Sequence, residues 1–289
     1  MAEQDLTGIM AAAYAAYGEG DADPFFSLIA NDAVIRFAAP TEVFPFAARR
    51  RGPAGAREAI GQILTAYEWL AFWAHELIAE GDMLVALTGG RIRHRPSGRE
   101  TEIHLADLIR FDGGKIVEFV EFFDTAGLAD WSSGGNLPAG TLIDPGKKAM
   151  NDAAGGAARN KVLVSEAFRA YGQKDAGPLM ALFADNASYN SVANLDDFRF
   201  AGPCHGRDAV LENLGRIAED YELERYVLRH IVARGDLVAT YSDAAFRTRA
   251  TGKLAEVEKL DFFRLIDGRI VEFNEFFDSY SARLTHSAA

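Results

Sequence analysis

The sequence predicts an α+β protein made of two tandem copies of one domain, and three observations carry this prediction. A nine-residue segment at 116–124 recurs at 270–278 with eight identical positions. In each copy, segments with helical spacing of apolar residues precede four segments that alternate like strands. The length of 289 residues suits two domains of ordinary size. Helices followed by consecutive strands favour an antiparallel sheet over a parallel one.

The repeat extends through most of the chain. A spacing of 154 residues relates Tyr17 to Tyr171, whereas Gly52-Pro53 matches Gly202-Pro203 at a spacing of 150. The two copies are therefore expected to differ by compensating four-residue insertions, which surface loops tolerate. Between the copies, residues 132–158 are rich in Gly, Ser, Pro and Ala without apolar periodicity, as is typical of a linker. The predicted domains are residues 1–131 and 159–289.

The first copy shows the order of elements. Apolar spacing predicts a helix over Leu6–Tyr17, a short helix after Pro24, a strand over Val34–Phe37 and a third helix over Ala54–Trp69. Turn residues then separate four predicted strands, which are Ala71–Ala79, Met83–Arg93, Glu100–Phe111 and Ile116–Phe123.

Composition excludes several classes of function. The net charge of −12 argues against partners that are bound through their negative charge, such as nucleic acid or an anionic membrane surface. No run of 18 apolar residues is present, and the first residues lack the features of a secretory signal, so we expect a cytoplasmic protein. Cys204 is the single cysteine, and the six histidines lack ligand spacing. We therefore expect neither a metal nor another cofactor.

Four short segments of the first copy resemble a known superfamily, and the second copy repeats them. They are Gly20-Asp21, Ala30–Ala33, Asp107–Phe111 and Gly114–Val117. Both copies resemble NTF2-like domains and, within that superfamily, the SnoaL-like group of polyketide cyclase and ketosteroid isomerase relatives. The resemblance implies two cone-shaped domains, each with a curved antiparallel sheet over three helices and an apolar pocket inside. This scaffold hosts many functions, so the resemblance specifies the fold better than the reaction.

Asp107 and Asp261 are the first catalytic candidates, because the resemblance places a pocket carboxylic acid at their positions. Burial in an apolar pocket favours the neutral form of an Asp, which suits a proton donor or a tuned base. The structural alternative is an Asp that is bonded to backbone amides or to a neighbouring Arg.

Glu121 and Glu275 are further candidates on the last strand of each copy. The alternation there leaves open which face they point to; if they point inward, each would oppose an Asp on the adjacent strand. The resemblance to SnoaL-like cyclases also places a His near this Asp, at His94, where the second copy has Thr248. A solvated hairpin is the alternative for His94.

Six residues are candidates for substrate binding, each with core packing or a strand edge as its alternative. Tyr and Trp can form an aromatic wall with a polar rim, and His can bond a substrate oxygen. The six are Tyr17, Trp69, Trp73, His75, Tyr171 and His230.

Three positions depart from the ketosteroid isomerases. Their general base falls on Phe37 and Ser191 in the two copies, and their Tyr falls on Ala13. These departures argue against steroid isomerisation by that mechanism.

Together these features predict a cofactor-independent acid/base enzyme that isomerises, cyclises or cleaves a small hydrophobic, aromatic or polycyclic substrate. The alternative is a binding module for a small ligand or peptide without turnover. Asp107 is expected to be the main acid/base group, assisted by His94 and Glu121. Lys259 is expected to hold Asp261 ionised in a structural role. We also expect the two copies to pair through their sheets as an internal pseudo-dimer, with a homo-oligomer as a further partner arrangement.

Overall fold

The structure is a computed structural model that describes residues 5–136 and 156–286. Unit 1 holds the described residues up to Phe123 together with Ala129–Gly135, and unit 2 holds the others. Most of the predicted linker, 132–158, lies outside the described residues.

Each unit begins with two helices, and a long helix separates its first strands from four consecutive strands. The elements of unit 1 are α1 (Leu6–Gly18), α2 (Asp23–Leu28), β1 (Ile29–Phe37), β2 (Arg50–Arg51), α3 (Gly52–Ala66), β3 (Tyr67–Glu80), β4 (Met83–His94), β5 (Glu100–Asp112) and β6 (Lys115–Phe123). Helix α4 (Thr125–Ser132) follows. Unit 2 contains α5 (Gly156–Gly172), α6 (Gly177–Ala181), β7 (Phe183–Ser191), β8 (Gly202–His205), α7 (Arg207–Asp220), β9 (Tyr221–Arg234), β10 (Leu237–Thr248), β11 (Leu254–Ile266), β12 (Arg269–Phe277) and α8 (Ser279–Arg283).

Both units contain one six-stranded sheet with the same strand order. In unit 1 the order is β2-β1-β6-β5-β4-β3, and unit 2 repeats it with β8-β7-β12-β11-β10-β9. Strands β3 to β6 form the predicted antiparallel meander, and the α+β fold of two tandem copies is confirmed. Strand β1, however, pairs with β6 in parallel, because the long connection through α3 brings the chain back in the same direction.

Helix α1 presents one apolar stripe to the sheet. Its buried residues are Leu6, Met10, Ala13 and Tyr14, at the spacing of one helical face. In unit 2 the corresponding stripe of α5 is Asn160, Val164, Ala167 and Phe168. The stripe therefore places residue 14 in the first copy, and 168 in the second, against the interior face of the sheet.

The third helix is shorter than the sequence predicts. It ends at Ala66, and Tyr67 already has extended backbone and pairs with His94 on β4. The apolar stripe of the helix continues into Tyr67 and Trp69, so periodicity alone does not reveal the change. Large aromatic side chains fit the pleated surface of a strand well, which explains why these residues belong to β3.

The expected insertions between the copies are wrong. Val34 pairs with Arg51 in unit 1, and Ser188 pairs with His205 in unit 2, so both partners keep the spacing of 154 residues. Gly52 at the start of α3 consequently corresponds to Gly206, and the Gly-Pro match at a spacing of 150 is coincidental. Both glycines have positive φ, +64° for Gly52 and +88° for Gly206, where a side chain is strained.

Replacing each of these two glycines with alanine is expected to distinguish the loss of stability caused by backbone strain from the loss caused by steric overlap. A Cβ on Gly52 would lie 2.4 Å from the carbonyl oxygen of Asn31, whereas among the described residues no heavy atom lies within 4 Å of a Cβ on Gly206. We expect Gly206→Ala to cost about 1 kcal/mol from φ alone and Gly52→Ala about 3 kcal/mol. Urea unfolding followed by far-UV circular dichroism measures both, and tryptophan fluorescence reports unit 1, which holds all three tryptophans. Equal losses in the two variants would contradict the steric contribution at Gly52.

Candidate functional site

Two carboxyl groups oppose each other on the interior face of the sheet in unit 1. Asp107 on β5 pairs directly with Glu121 on β6, and directly paired residues point to the same face. Tyr14 from α1 bonds to Asp107, so this face is the one covered by the helix. The side chain of Glu121 therefore points inward, on the same face as Asp107.

Asp107 is a buried acid with one bonded oxygen. The Tyr14 hydroxyl donates to its Oδ2 at 2.6 Å, and Asp107 is only 1% exposed. Within the described residues, its Oδ1 has no hydrogen-bond partner. Burial raises the pKa of Asp107 to about 7, against a smaller lowering by the Tyr14 hydrogen bond. The carboxyl is therefore poised to gain or lose a proton near neutral pH.

Glu121 is the less deeply buried member of the pair. Burial is the main cause that raises the pKa of Glu121 well above its usual value, and the charge of Asp107 adds to it. The side chain keeps partial exposure, unlike that of Asp107. Because two nearby carboxylates cannot both ionise easily, the pair holds at least one proton at neutral pH.

An aromatic wall stands beside this pair. Tyr17 packs edge-to-face on Trp69 and Phe72, with ring centroids 6.3 and 5.1 Å apart. All three side chains are only partly buried. Burial raises the pKa of Tyr17, and the charges of Glu121 and Asp107 add to the shift, so its hydroxyl stays protonated near the acids. Tyr17 and Trp69 thus pack together near the acids, and their contact with a substrate stays a prediction.

His94 does not join Asp107. Asp107 pairs with Ala86 on β4, and His94 lies eight residues further along that strand. At the usual rise per residue this separation is about 26 Å. His94 instead bonds Ser97 through Nδ1 at 2.9 Å and packs against Tyr67. The expected His–Asp relay is therefore wrong, because a hairpin brings together residues near its turn and not residues far along each strand.

Two of the proposed wall residues lie on the other face of the sheet. Trp73 pairs with Gly89, whereas the interior-facing Phe72 pairs with Gly90. Trp73 donates from Nε1 to Nε2 of His75 at 2.6 Å, so both belong to the outer face. The prediction that they line the interior is wrong, since an aromatic-rich strand such as β3 shows no clear alternation.

His230 is also misplaced by the sequence prediction. It pairs with Tyr241 on β10 and stacks on its ring, with centroids 6.0 Å apart. Interior-facing Thr240, which pairs with Asp261, has the opposite parity on that strand. His230 is exposed on the outer face of the sheet of unit 2.

Unit 2 keeps the carboxyl pair but surrounds it differently. Asp261 pairs with Glu275, as Asp107 does with Glu121. Lys259 donates to Glu275 Oε2, and its Nζ lies 3.9 Å from Asp261 Oδ2, beyond hydrogen-bond distance. Tyr189 and Ser191 also donate to Glu275, at 3.4 and 3.3 Å. The ionised partner of Lys259 is therefore Glu275.

Lys259 does not hold Asp261 ionised as the sequence predicts. Burial raises the pKa of Asp261 to about 8, with Lys259 lowering it and Glu275 raising it. Asp261 is fully buried, and neither of its oxygens has a hydrogen-bond partner among the described residues. The neutral acid is favoured because the ammonium is committed to the neighbouring carboxylate.

A cavity of about 340 Å³ opens within unit 2. Aromatic and aliphatic side chains form most of its wall, and Tyr171, Lys259 and Glu275 are polar members of the lining. Asp261 is not among the described residues that line it. Tyr171 thus lines the cavity whereas Asp261 does not, and contact of Tyr171 with a substrate stays a prediction.

The comparison with known families matches both copies. A family model described as SnoaL-like domain matches residues 10–119 and, again, residues 164–273. The chain belongs to the SnoaL-like domain family. Each unit contains one match, so the protein carries two tandem SnoaL-like domains.

Solved structures resemble one SnoaL-like domain at a time. Bal32a from a soil-derived mobile gene cassette is 25% identical, with 45% of this chain and 97% of that chain covered and a TM-score of 0.39. An NTF2-like protein of unknown function from Burkholderia pseudomallei is 19% identical, covering 45% and 98%, with a TM-score of 0.42. TerC, co-crystallised with polyporic acid, is 18% identical over 44% and 97%, with a TM-score of 0.40.

Two further findings concern the described part of the chain. No helix there is long and apolar enough to cross a membrane. No group of three or more His, Cys, Asp and Glu side chains there is arranged to hold a metal ion.

Tyr14 is the site residue that the sequence analysis misses. The resemblance aligns the Tyr of the ketosteroid isomerases with Ala13. The hydroxyl that reaches Asp107 belongs to the next residue, Tyr14. The spacing of Met10, Ala13 and Tyr14 on the buried stripe contains the signal, because it puts both candidate positions on one helix face. In the second SnoaL-like domain the corresponding residue is Phe168, which has no hydroxyl to donate.

The raised pKa of Asp107 predicts how stability depends on pH. The folded protein holds a proton on Asp107 that the unfolded chain releases. The stabilisation that results from this difference is fully present below about pH 4. It is lost as the pH rises through the folded pKa of about 7. Between pH 5 and pH 7, we expect the unfolding free energy of Asp107→Asn to fall by about 2 kcal/mol less than that of the wild type.

Tryptophan-detected urea unfolding at a series of pH values measures this difference in unit 1. Asp112→Asn is the matched control, because Asp112 lies on the same strand but is exposed. An equal pH dependence in wild type and Asp107→Asn would show that Asp107 is not held neutral by burial.

Proposed function

We propose that unit 1 is a cofactor-independent acid/base catalyst that moves a proton on a small hydrophobic molecule with an aromatic or polycyclic skeleton. The observation that carries this proposal is the buried carboxyl pair, Asp107 opposite Glu121, with the Tyr14 hydroxyl on Asp107. Paired acids with raised pKa values at neutral pH are typical of sites that both donate and accept protons. Isomerisation, cyclisation and lysis all include such a transfer.

The two carboxyls have different roles in the proposed reaction. Ionised Asp107 accepts a proton from a carbon acid at Oδ1, the oxygen that Tyr14 does not bond. Protonated Glu121 donates a hydrogen bond to the substrate oxygen on which negative charge develops. The proton then returns from Asp107 to another atom of the substrate, so the enzyme ends in its starting state.

The surroundings of the pair support a hydrophobic substrate. Tyr17, Trp69 and Phe72 offer partly buried ring surface on the same face. Flat apolar molecules gain free energy by covering such surface, at about 25 cal/mol per Å² removed from water. His94 is left out of the mechanism because of its distance along β4.

The second candidate function is a small-ligand or peptide binding module without turnover. The arrangement in unit 2 favours it, because Lys259 and Glu275 form an ion pair at the cavity and Asp261 does not line it.

The pairing of the two copies as an internal pseudo-dimer, or of whole chains as a homo-oligomer, remains a prediction.

Proton exchange into a simple ketone tests the catalytic proposal. We expect the wild type to accelerate exchange of deuterium into the C1 position of 2-tetralone, followed by NMR in D₂O. Asp107→Asn should slow the catalysed rate by about 100-fold or more, the usual effect of losing a general base. Asp261→Asn is the matched control in the second copy and should retain the rate.

Full activity in Asp107→Asn, or a loss confined to Asp261→Asn, would contradict the assignment of catalysis to unit 1. Binding of the ketone without catalysed exchange in the wild type would favour the binding module.

The pH profile of the same exchange tests Tyr14. We expect the rate to rise through an inflection near the pKa of Asp107, about 7, as the carboxylate forms. Tyr14→Phe removes a donor that stabilises the ionised form, so the inflection should move to higher pH. Tyr17→Phe leaves that hydrogen bond in place and serves as the control. An unchanged inflection in Tyr14→Phe would show that the phenol does not tune the acid.

A further inference from the structure

Lys259 places a cation beside the carboxyl pair of unit 2. In unit 1 the corresponding residue, two before Asp107, is Leu105. Lys259 is only 8% exposed, and its side chain forms part of the cavity lining. A buried ammonium in a cavity wall made mostly of aromatic and aliphatic side chains is costly unless its hydrogens find acceptors.

The hydrogen bonds of this ammonium are incomplete. Lysine has three N–H donors, and one of them bonds Glu275 Oε2. Asp261 Oδ2, at 3.9 Å, is too distant for a hydrogen bond. Among the described residues no other acceptor bonds Nζ, so donor capacity remains on a group that borders the cavity.

Glu275, by contrast, accepts hydrogen bonds at both of its carboxylate oxygens. Its Oε1 accepts from Tyr189 and Ser191, and its Oε2 accepts from Lys259. These donors stabilise it as the counter-charge of the ammonium. The larger unused capacity at the polar end of the cavity therefore lies in the N–H donors of Lys259.

The remaining wall suits a flat apolar body. Phe198, Phe200, Phe246 and Phe273 line the cavity together with aliphatic residues such as Val257. Its volume of about 340 Å³ is in the range of small-molecule sites.

We propose that the cavity of unit 2 is a binding site for a neutral, flat aromatic molecule that presents a carbonyl oxygen to the Lys259 ammonium. This site is separate from the proposed catalytic pair of unit 1, and it does not depend on that proposal. A carbonyl oxygen supplies the missing acceptor and leaves the ion pair intact.

The charges favour a neutral ligand over an anion. Lys259 and Glu275 together carry no net charge. The other charged lining residues, Lys174, Glu222 and Arg249, are exposed and form ion pairs with one another, away from the buried end of the cavity. An anionic ligand would add an uncompensated negative charge beside Glu275 in a dry environment, at a large desolvation cost. A hydrocarbon without an oxygen would cover the donors of Lys259 and leave them unpaired, which is also unfavourable.

A matched pair of probes tests the proposal on the full-length chain. 9-Fluorenone and fluorene have the same tricyclic shape, but only the ketone carries an acceptor oxygen. Fluorenone also has no hydrogen on the carbons beside its carbonyl, so an acid/base reaction in unit 1 cannot consume it. Equilibrium dialysis of each probe gives its dissociation constant, and we expect fluorenone to bind about tenfold more tightly than fluorene.

The variant that decides the role of the ammonium is Lys259→Met with Glu275→Gln. Both residues are changed together because a single change would leave one buried charge without its partner. We expect the double variant to bind fluorene as the wild type does but to lose the preference for fluorenone. Far-UV circular dichroism verifies that the double variant is folded.

A second variant places the binding in this cavity. Ala255 lines it on the same strand, and Ala255→Trp fills it without touching the ion pair. We expect this variant to bind one molecule fewer of each probe per chain than the wild type. Asp107→Asn is the control for unit 1 and should keep the probe molecule bound in the cavity of unit 2, which separates this test from that of the catalytic proposal.

Equal affinities for fluorenone and fluorene in the wild type would overturn the proposal. So would a preference for fluorenone that survives in the double variant, or an unchanged number of fluorenone molecules bound per chain in Ala255→Trp.

Discussion

The burial of two carboxyl groups on directly paired positions is the constraint on which the rest of each unit depends. Asp107 faces Glu121, and Asp261 faces Glu275, at the same register of the same two strands. Such a pair is unfavourable in an apolar interior unless its charge is removed or compensated. Unit 1 removes the charge by protonation, and unit 2 supplies a cation.

These two solutions follow from exchanges at two positions. Tyr14 and Leu105 in the first copy correspond to Phe168 and Lys259 in the second. With the Tyr14 phenol as its hydrogen-bond donor and no cation bonded to it among the described residues, Asp107 in unit 1 has a pKa near neutrality. With an ammonium bonded to the glutamate, the pair in unit 2 becomes a fixed dipole beside a cavity. The proposed proton transfer in one copy and the proposed recognition of an oxygen in the other thereby rest on different neighbours of the same carboxyl pair.

Much of the fold could be predicted from the sequence because the signals are local or repeated. Turn residues and apolar alternation mark the four meander strands, and the repeated segment at 116–124 and 270–278 marks the duplication. The parallel pairing of β1 with β6 could not be predicted in this way, since it joins segments that are far apart in sequence. The end of α3 was obscured by the apolar stripe that runs into Tyr67.

The candidate site was only partly predictable, for reasons of geometry. Asp107 and Glu121 were identified as residue types at suitable positions, but their common face depends on register. Trp73 and His75 follow Trp69 closely in sequence, yet a register shift in β3 separates the face of Trp69 from theirs. Tyr14 reaches Asp107 from 93 residues away, a contact that no local pattern encodes.

The parallel pairing of β1 with β6 also bears on how the chain reaches its native state. Strand β1 can complete the sheet only after β6 has formed, and β6 begins 78 residues after the end of β1. The corresponding strand of the second copy, β12, shares most of its residues with β6 and offers β1 nearly the same edge. During synthesis from the N-terminus, β6 emerges long before β12, so the correct partner is the first one available. The order of translation therefore protects this duplicated chain from exchanging strands between its own copies, a protection that refolding from the full-length unfolded state lacks.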